Sequence, residues 1–305
     1  MICLGIDTSN YTTSVALYDE KNCFEEKQLL PVKPGERGLR QSDALFHHTK
    51  ALPYLLENLF KKCAVKPDRV GFSSRPRNAP GSYMPCFLAG ESAARAVGAA
   101  FSLPVYEFSH QEGHIMAALY SSGNLKLCKK EFIAFHISGG TTEMLLVKPG
   151  TDTLFETQIL GKTLDLNFGQ AIDRIGVKMG FGFPCGKKIE QLALKSDKQF
   201  NTHPVIKGFD CCVSGLENKC LEMLSQNNSC EDVSKYCLSF IYQTIFAMTQ
   251  KAVNAYAGLD IIYAGGVMSN KFLKEKLSSD FKCSFALPEF SRDNACGIAV
   301  AAGMK

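Results

Sequence analysis

No stretch of this sequence reaches the roughly 18–20 consecutive apolar residues that a membrane span needs. Met1 to Leu4 run straight into Gly5, Asp7 and Thr8, with neither a basic opening nor a long apolar run. No signal peptide is therefore expected, and the cytoplasm is the expected compartment. The thirteen cysteines include no C-x-x-C pair, which removes the zinc-ribbon and thioredoxin-type readings. Cys211 and Cys212 are adjacent, an awkward geometry for a mutual disulfide, and buried free thiols are expected throughout. Long charge runs are also missing. The net charge is +4, and the basic clusters are pairs such as Lys61-Lys62 and Lys187-Lys188. That balance permits RNA as a partner without arguing for it. No P-loop lysine pattern, no H-E-x-x-H and no Gly-x-Ser-x-Gly elbow is present, which excludes three common nucleotide and hydrolase signatures. No linker or low-complexity stretch divides the chain.

What is present is ordinary globular material. Apolar residues make up 46% and charged residues 21% of 305 residues, enough for a buried core and about two domains. Residues 2–6, Thr13 to Tyr18 and Phe24 to Leu30 read as strands, with polar turn residues between the first two. Ser42 to Lys61 carries Leu45, Leu52, Leu55, Leu56, Leu59 and Phe60 largely on one helical face. A short strand at 70–72, an Ala-rich helix over 82–101 and a strand at 104–108 follow. Phe132 to Ile137 then stops at Ser138-Gly139-Gly140-Thr141-Thr142 and resumes at Glu143. Strand, polar turn with a Thr pair, strand thus occurs twice, at a spacing of roughly 130 residues, which suits a duplicated domain. The second half is mostly helical, at 166–179, 186–194, 217–225 and 231–257, before a buried-type strand at 260–264 and a helix at about 269–277. Ser291 is expected to cap the last helix. The expected class is α/β in two related lobes about a tight cleft.

Three polar turns end apolar strands: Asp7-Thr8-Ser9, Ser138-Gly139-Gly140 and Gly265-Gly266. Glycine admits close backbone approach, and turn amides and hydroxyls make anion-binding concavities, so these turns are candidates for a phosphate site. The second constellation is His110-Gln-Glu-Gly-His114. If Ser109 caps a helix, both imidazoles fall on one face at i and i+4, where they can share one metal ion or serve structure alone. Asp293, expected to open the last helix, is the candidate third ligand. Two histidines and a carboxylate suit iron or catalytic zinc. Asp173 reads as a solvent ion-pair partner, Glu190 as an acid near a helix start, and Asn270 as a helix N-terminal group.

Taken together and in order, these motifs resemble the tRNA threonylcarbamoyladenosine transferase family, once called glycoprotease. The residues that carry the resemblance are Gly5-Ile-Asp-Thr-Ser, His110-x-x-x-His114, Ile137-Ser-Gly-Gly-Thr141, Gly161-Lys-Thr-Leu-Asp165, Gly169-Gln-Ala-Ile-Asp173, Phe183-Pro-Cys-Gly186, Val213-Ser-Gly-Leu216, Ala264-Gly-Gly-Val-Met-Ser-Asn270 and Asp293-Asn. The resemblance implies the actin-like, sugar-kinase and heat-shock-ATPase duplicated fold, two lobes around a nucleotide cleft. The expected lobes are residues 1–108, with the helix of 292–305 packing back, and residues 109–291. It implies transfer of a threonylcarbamoyl group from threonylcarbamoyl-AMP to N6 of adenosine 37 of tRNA. It places a divalent metal on His110, His114 and Asp293, with Fe(II) the first choice and Zn or Mg the others. It assigns Ile137, Ser138, Gly139, Gly140 and Thr141 to the nucleotide phosphate, and Asp173, Gly186, Glu190 and Asn270 to the nucleoside. No catalytic residue beyond the metal site is implied. The partners implied are tRNA, met directly or through partner subunits, and the proteins of a threonylcarbamoyl-transfer complex, with no membrane.

The sequence departs from the family in places. Thr141 stands where a histidine is usual, Asp165-Leu-Asn-Phe-Gly-Gln replaces a more acidic run, and Glu217 replaces a lysine. Arg75-Pro-Arg-Asn-Ala-Pro-Gly replaces a glycine-rich loop. These departures keep two other readings in view: a non-catalytic nucleotide-binding paralogue or subunit, and a carbamoyltransferase with a different acceptor. A metalloprotease is excluded because Glu112 is not placed as H-E-x-x-H requires.

Overall fold

The computed structural model describes residues 1–9, 11–31, 39–291, 293 and 295–305. Asn294, quoted in the last of the motifs, lies outside the described residues. The chain divides into two compact units, one of residues 1–128, 149–156 and 289–305, the other of 129–148 and 157–288.

The first unit opens with β1 (Cys3–Asp7), β2 (Thr12–Tyr18) and β3 (Cys23–Leu29), followed by α1 (Gln41–Cys63), β4 (Arg69–Arg75), α2 (Phe87–Phe101), β5 (Val105–Ser109) and α3 (His110–Ser121). Its sheet runs β3-β2-β1-β4-β5, an antiparallel meander continued by parallel strands. Alternation of side chains along a strand sends Leu4 and Ile6 of β1 to one face. There they pack with Val15, Leu17, Leu52, Leu55, Leu59 and Phe72 in the core under α1 and α2. Each fully buried aliphatic side chain there contributes about 1.5–3 kcal/mol. The other face receives Gly5 and Asp7.

The second unit contains β6 (Phe132–Ile137), all but the last residue of β7 (Thr142–Pro149), all but the first two residues of β8 (Phe155–Lys162), α4 (Phe168–Lys178), α5 (Gly186–Ala193), β9 (Val205–Lys207), β10 (Asp210–Cys212), α6 (Ser214–Ser225), α7 (Cys230–Ala255), β11 (Asp260–Ala264), α8 (Lys271–Asp280) and β12 (Cys283–Phe285). Its main sheet runs β12-β11-β6-β7-β8. Read from β8, this is the first unit's order again: a three-strand meander, then two parallel strands. The duplication expected from the two strand–turn–strand segments is therefore present at the level of topology. A large core around Phe135, Phe168, Ile175, Leu238, Ile241 and Tyr263 holds the helices on the sheet.

The last helix, α9 (Cys296–Gly303), returns to the first unit and crosses the open face of its sheet. A Cβ on Gly5 would lie 2.4 Å from both the Ala295 carbonyl oxygen and the Ala299 nitrogen. A Cβ on Gly297 would lie 1.8 Å from the Gly113 carbonyl oxygen of α3. This backbone-close packing places α3 in the first unit, whereas the expected boundary assigned residues 109–128 to the second lobe. Ser291 does not cap α9, and Asp293 does not open it. The helix begins at Cys296, Ala295 is its N-cap residue, and no side chain of that residue caps it. Among the described residues no helix is long and apolar enough to cross a membrane. All thirteen cysteines are free thiols, most of them buried.

Candidate metal centre and candidate nucleotide turn

The metal candidates belong to the first unit. Ser109 closes β5 in an extended conformation and caps α3. Its hydroxyl accepts the Glu112 amide at 3.2 Å, and its own amide donates to Glu112 Oε2 at 2.7 Å. That reciprocal cap fixes where the helix starts, and so fixes His110 and His114 one turn apart on one face. Their rings stand 4.3 Å apart at 70°. Asp293 stands three residues before α9, itself in neither helix nor strand. Its Oδ1 lies 3.4 Å from Nε2 of His110 and 3.4 Å from Nε2 of His114. The three side chains each offer one ligand atom within 4.8 Å of the others. Donors about 2.1 Å from one tetrahedral ion stand about 3.4 Å apart, so the donor set fits a single divalent ion.

Asp7 completes the arrangement. It is fully buried at the end of β1, and its Oδ2 lies 3.2 Å from Nδ1 of His110. Ser9 donates to the same oxygen at 2.8 Å, and Ser73 donates to Oδ1. A carboxylate on Nδ1 leaves Nε2 to face Asp293, as outer partners of metal-bound histidines do. Burial alone would push the His110 imidazole down. The charge of Asp7 and the hydrogen bonds that the ring donates to Asp293 and Asp7 outweigh it and hold His110 up at about 10. Burial would raise both acids, but the imidazoles hold Asp7 and Asp293 below the usual carboxylate range.

This assignment corrects one expectation. Asp7-Thr8-Ser9 is not an open anion turn: Thr8 and Ser9 are buried. Thr8 donates to the Cys86 carbonyl at 3.0 Å and accepts the Gly90 amide at 3.1 Å. The period-two pattern of β1 held the relevant signal, since Asp7 shares the face of Gly5 and not that of the leucine core.

Glu112, between the two histidines, is 2% exposed and carries no sign of a general base. Its Oε2 accepts from the Ser109 amide and hydroxyl, and its Oε1 accepts the amides of Leu154 at 2.7 Å and Phe155 at 3.2 Å. The carboxylate is a clamp between α3 and residues 154–155. The Arg75 loop is tied down nearby. Arg75 donates to Glu107 and, at 3.1 Å, to Asn78, and the Pro76 carbonyl accepts the Gln111 amide at 3.0 Å.

The nucleotide candidates belong to the second unit. Ile137 to Thr141 form the turn between β6 and β7, closed by the Ser138 amide donating to the Thr141 carbonyl at 2.7 Å. Gly139 and Gly140 are exposed, and a Cβ on either would meet nothing within 4 Å. Gly265 has φ +100°, and a Cβ there would lie 2.2 Å from the Ile137 carbonyl oxygen. The second and third polar turns of the sequence therefore pack together. The Gly169 amide, in the first turn of α4, donates to the Ser138 carbonyl at 3.2 Å.

The remaining predicted residues are joined in pairs. Asp173 Oδ1 accepts the Cys185 amide at 2.8 Å, just before Gly186 opens α5. Its neighbour Arg174, not Asp173, makes the ion pair, with Glu217 at 3.2 Å. Glu190 Oε1 accepts the Lys271 amide at 2.6 Å, so it serves the start of α8 and not its own helix. Asn270 caps α8, accepting the Leu273 amide at 3.2 Å. Asp165, which ends one motif and opens a run that departs from the family, is also tied to the backbone. It accepts amides of Leu166, Val213 and Ser214 and the Ser214 hydroxyl, and these hold it down at about 2 although burial would raise it.

The model of the family described as tRNA N6-adenosine threonylcarbamoyltransferase matches residues 32–300. A tRNA N6-adenosine threonylcarbamoyltransferase from Archaeoglobus fulgidus is 30% identical over 309 residues, covering 98% of this chain and 90% of that protein. The chain spans about half the length of relatives named as probable bifunctional tRNA threonylcarbamoyladenosine biosynthesis proteins, 55% and 56% in two of them. Among solved structures, full-length HypF in a phosphate- and nucleotide-bound form matches with TM-score 0.60 and 13% identity, over 98% of this chain and 45% of that one. A ROK family glucokinase from Streptomyces griseus matches with TM-score 0.55 and 11% identity over the whole of both chains. With the repeated sheet order, these neighbours give the actin-like, sugar-kinase type of fold.

Proposed function

Because the chain belongs to the tRNA N6-adenosine threonylcarbamoyltransferase family, we propose that it moves a threonylcarbamoyl group from threonylcarbamoyl-AMP to N6 of adenosine 37 of tRNA. The observation that carries this reading is the convergence of His110, His114 and Asp293 on one point, with Asp7 behind His110. A nucleotide-binding scaffold without chemistry has no need of that set.

In this reading His110, His114 and Asp293 hold one divalent ion, Fe(II) by family resemblance. When bound, the ion supplies Lewis acidity for the acyl phosphate and for charge on the departing AMP. Asp7 keeps the His110 proton on Nδ1 and its Nε2 directed at the ion. The open Gly139-Gly140 backbone, with Ile137, Ser138 and Thr141, receives the nucleotide phosphate through amides and hydroxyls. Asp173 and Glu190 each spend one oxygen on a backbone amide, and their second oxygens bind the ribose hydroxyls. Gly186 leaves room beside the nucleoside, and Asn270 borders it. The mixed anhydride is already reactive, so no covalent enzyme intermediate is required. Orientation of the adenosine amine against the carbonyl contributes several kcal/mol. The tRNA and the proteins of a transfer complex are the partners.

The test is complementation in cells depleted of their own transferase, with the modified nucleoside measured by mass spectrometry. The wild-type chain restores the nucleoside, and His110→Ala and Asp293→Ala do not. If His110→Ala changed neither metal content nor modification, the metal role would be wrong. If the folded wild-type chain restored nothing with partners present, the paralogue or altered-acceptor reading would take its place.

A further inference from the structure

We propose that Glu25 of β3 is a positioning residue for the metal centre, fixing the segment that carries Asp293 by accepting the Ala295 amide. This rests on the metal reading above and extends it to a strand that none of the site motifs includes.

The contact itself is direct. The Ala295 amide donates to Glu25 Oε1 at 3.1 Å, across 270 positions of sequence. Asp293 lies two residues before that amide and itself belongs to no helix or strand. The histidines are set by the capped start of α3, but Asp293 has no regular element to set it. An anchor from outside the segment is what such a ligand requires.

The sheet explains why residue 25 can reach. Gly5, Ala16 and Glu25 are partners in one cross-strand row over β1, β2 and β3. Neighbouring strands stand about 4.8 Å apart, so the row spans about 10 Å. The first two members are small, and Gly5 lies directly beneath Ala295 and Ala299. The start of α9 therefore sits low over the sheet, and the long acid at the third place extends to it. Its side chain is 15% exposed, and Lys27 donates to its other oxygen, Oε2, at 2.6 Å. Lys27 is two residues on and shares the face.

The arrangement also satisfies the helix. Ala295 is the N-cap residue of α9 and provides no side-chain cap. The orphan amides at a helix start favour an anion, and here β3 supplies it. Glu26 is the internal contrast. It points to the opposite face and pairs with Lys62 of α1.

The experiment is a Co(II) titration of the full chain, read by the visible d–d spectrum, for wild type, Glu25→Ala, Glu25→Gln and Glu26→Ala. Glu25→Ala lowers Co(II) affinity roughly tenfold and alters the band pattern, the scale usual for outer partners of a metal ligand. Glu25→Gln keeps an acceptor oxygen at the same reach and stays within about threefold of wild type, as does Glu26→Ala. Wild-type affinity and spectrum in folded Glu25→Ala would overturn the proposal, as would an equal loss in Glu26→Ala. If the alanine variant does not fold, Glu25→Met keeps the stem without the oxygen and carries the same prediction. Failure of the wild-type chain to bind Co(II) would instead overturn the metal reading itself.

Discussion

Nδ1 of His110 lies 3.2 Å from Oδ2 of Asp7, so a buried acid on the first strand sets which nitrogen of that ring faces Asp293. Asp7→Ala removes the orienting group and leaves the imidazole to rotate or reprotonate. Divalent-metal affinity is expected to fall by roughly 10–100-fold, with one-to-one stoichiometry preserved at saturation. Isothermal titration of the folded variant measures this. Unchanged affinity would mean that α3 alone positions the ring.

The middle residue of His110-Gln-Glu-Gly-His114 separates structure from catalysis. Glu112 accepts four hydrogen bonds while 2% exposed. Glu112→Ala strands the amides of Leu154 and Phe155 and is expected to cost on the order of 3 kcal/mol in a urea melt. Below that transition the variant should still bind one metal ion. A variant of normal stability that bound metal and lost transfer would instead make Glu112 part of the chemistry.

Much of the molecule was legible because local signals agreed with the fold. The apolar run of 132–137 became β6 unchanged, and Ser109 with Glu112 three residues later is a capping pattern that the structure contains in full. The two Thr-paired turns announced the repeated sheet order. What stayed hidden depends on partners distant in sequence. β9, β10 and β12 have three residues each and too little periodicity to register. Asp7 reads as a turn residue until α3 is laid against β1. Glu25 sits in an edge strand rich in charge, where an acid ordinarily faces water. By local pattern alone Asp173, Glu190 and Asn270 read as helix or surface groups, and only the family resemblance gives them a nucleoside. Two of them hold backbone amides of another segment, 12 and 81 positions away.

Asp165 offers a pH-dependent test. The Ser214 hydroxyl and three backbone amides hold it at about 2, below its usual value, against the opposing pull of burial. The unfolded carboxyl titrates near 3.9, so its stabilisation is complete above about pH 4 and is lost as pH falls through about 2. The group is exposed, and solvent screening limits the effect to about 1 kcal/mol. Wild type and Asp165→Asn, compared by circular dichroism in urea, should differ by that amount at pH 6 and converge towards pH 2. A gap independent of pH would refute the carboxylate account.

Two glycine positions should respond in opposite ways, because one is filled by backbone and the other opens on empty space. At Gly297 an added Cβ would lie 1.8 Å from the Gly113 carbonyl oxygen and 3.0 Å from the Ala117 nitrogen. Neither is a flexible side-chain end, so α9 would have to lift from α3. Gly297→Ala is expected to cost about 3 kcal/mol or more. Because His114 follows Gly113 and Asp293 precedes α9, it should weaken metal binding in whatever fraction folds. Gly139→Ala meets nothing within 4 Å, and the glycine does not hold a left-handed φ. Its melting temperature should match wild type. If the β6–β7 turn receives a phosphate, the new methyl group intrudes where the backbone must approach, and adenylate affinity should drop about tenfold. Thermal melts separate the two variants, and binding of a non-hydrolysable adenylate tests the turn. Normal nucleotide affinity in Gly139→Ala would move the phosphate elsewhere.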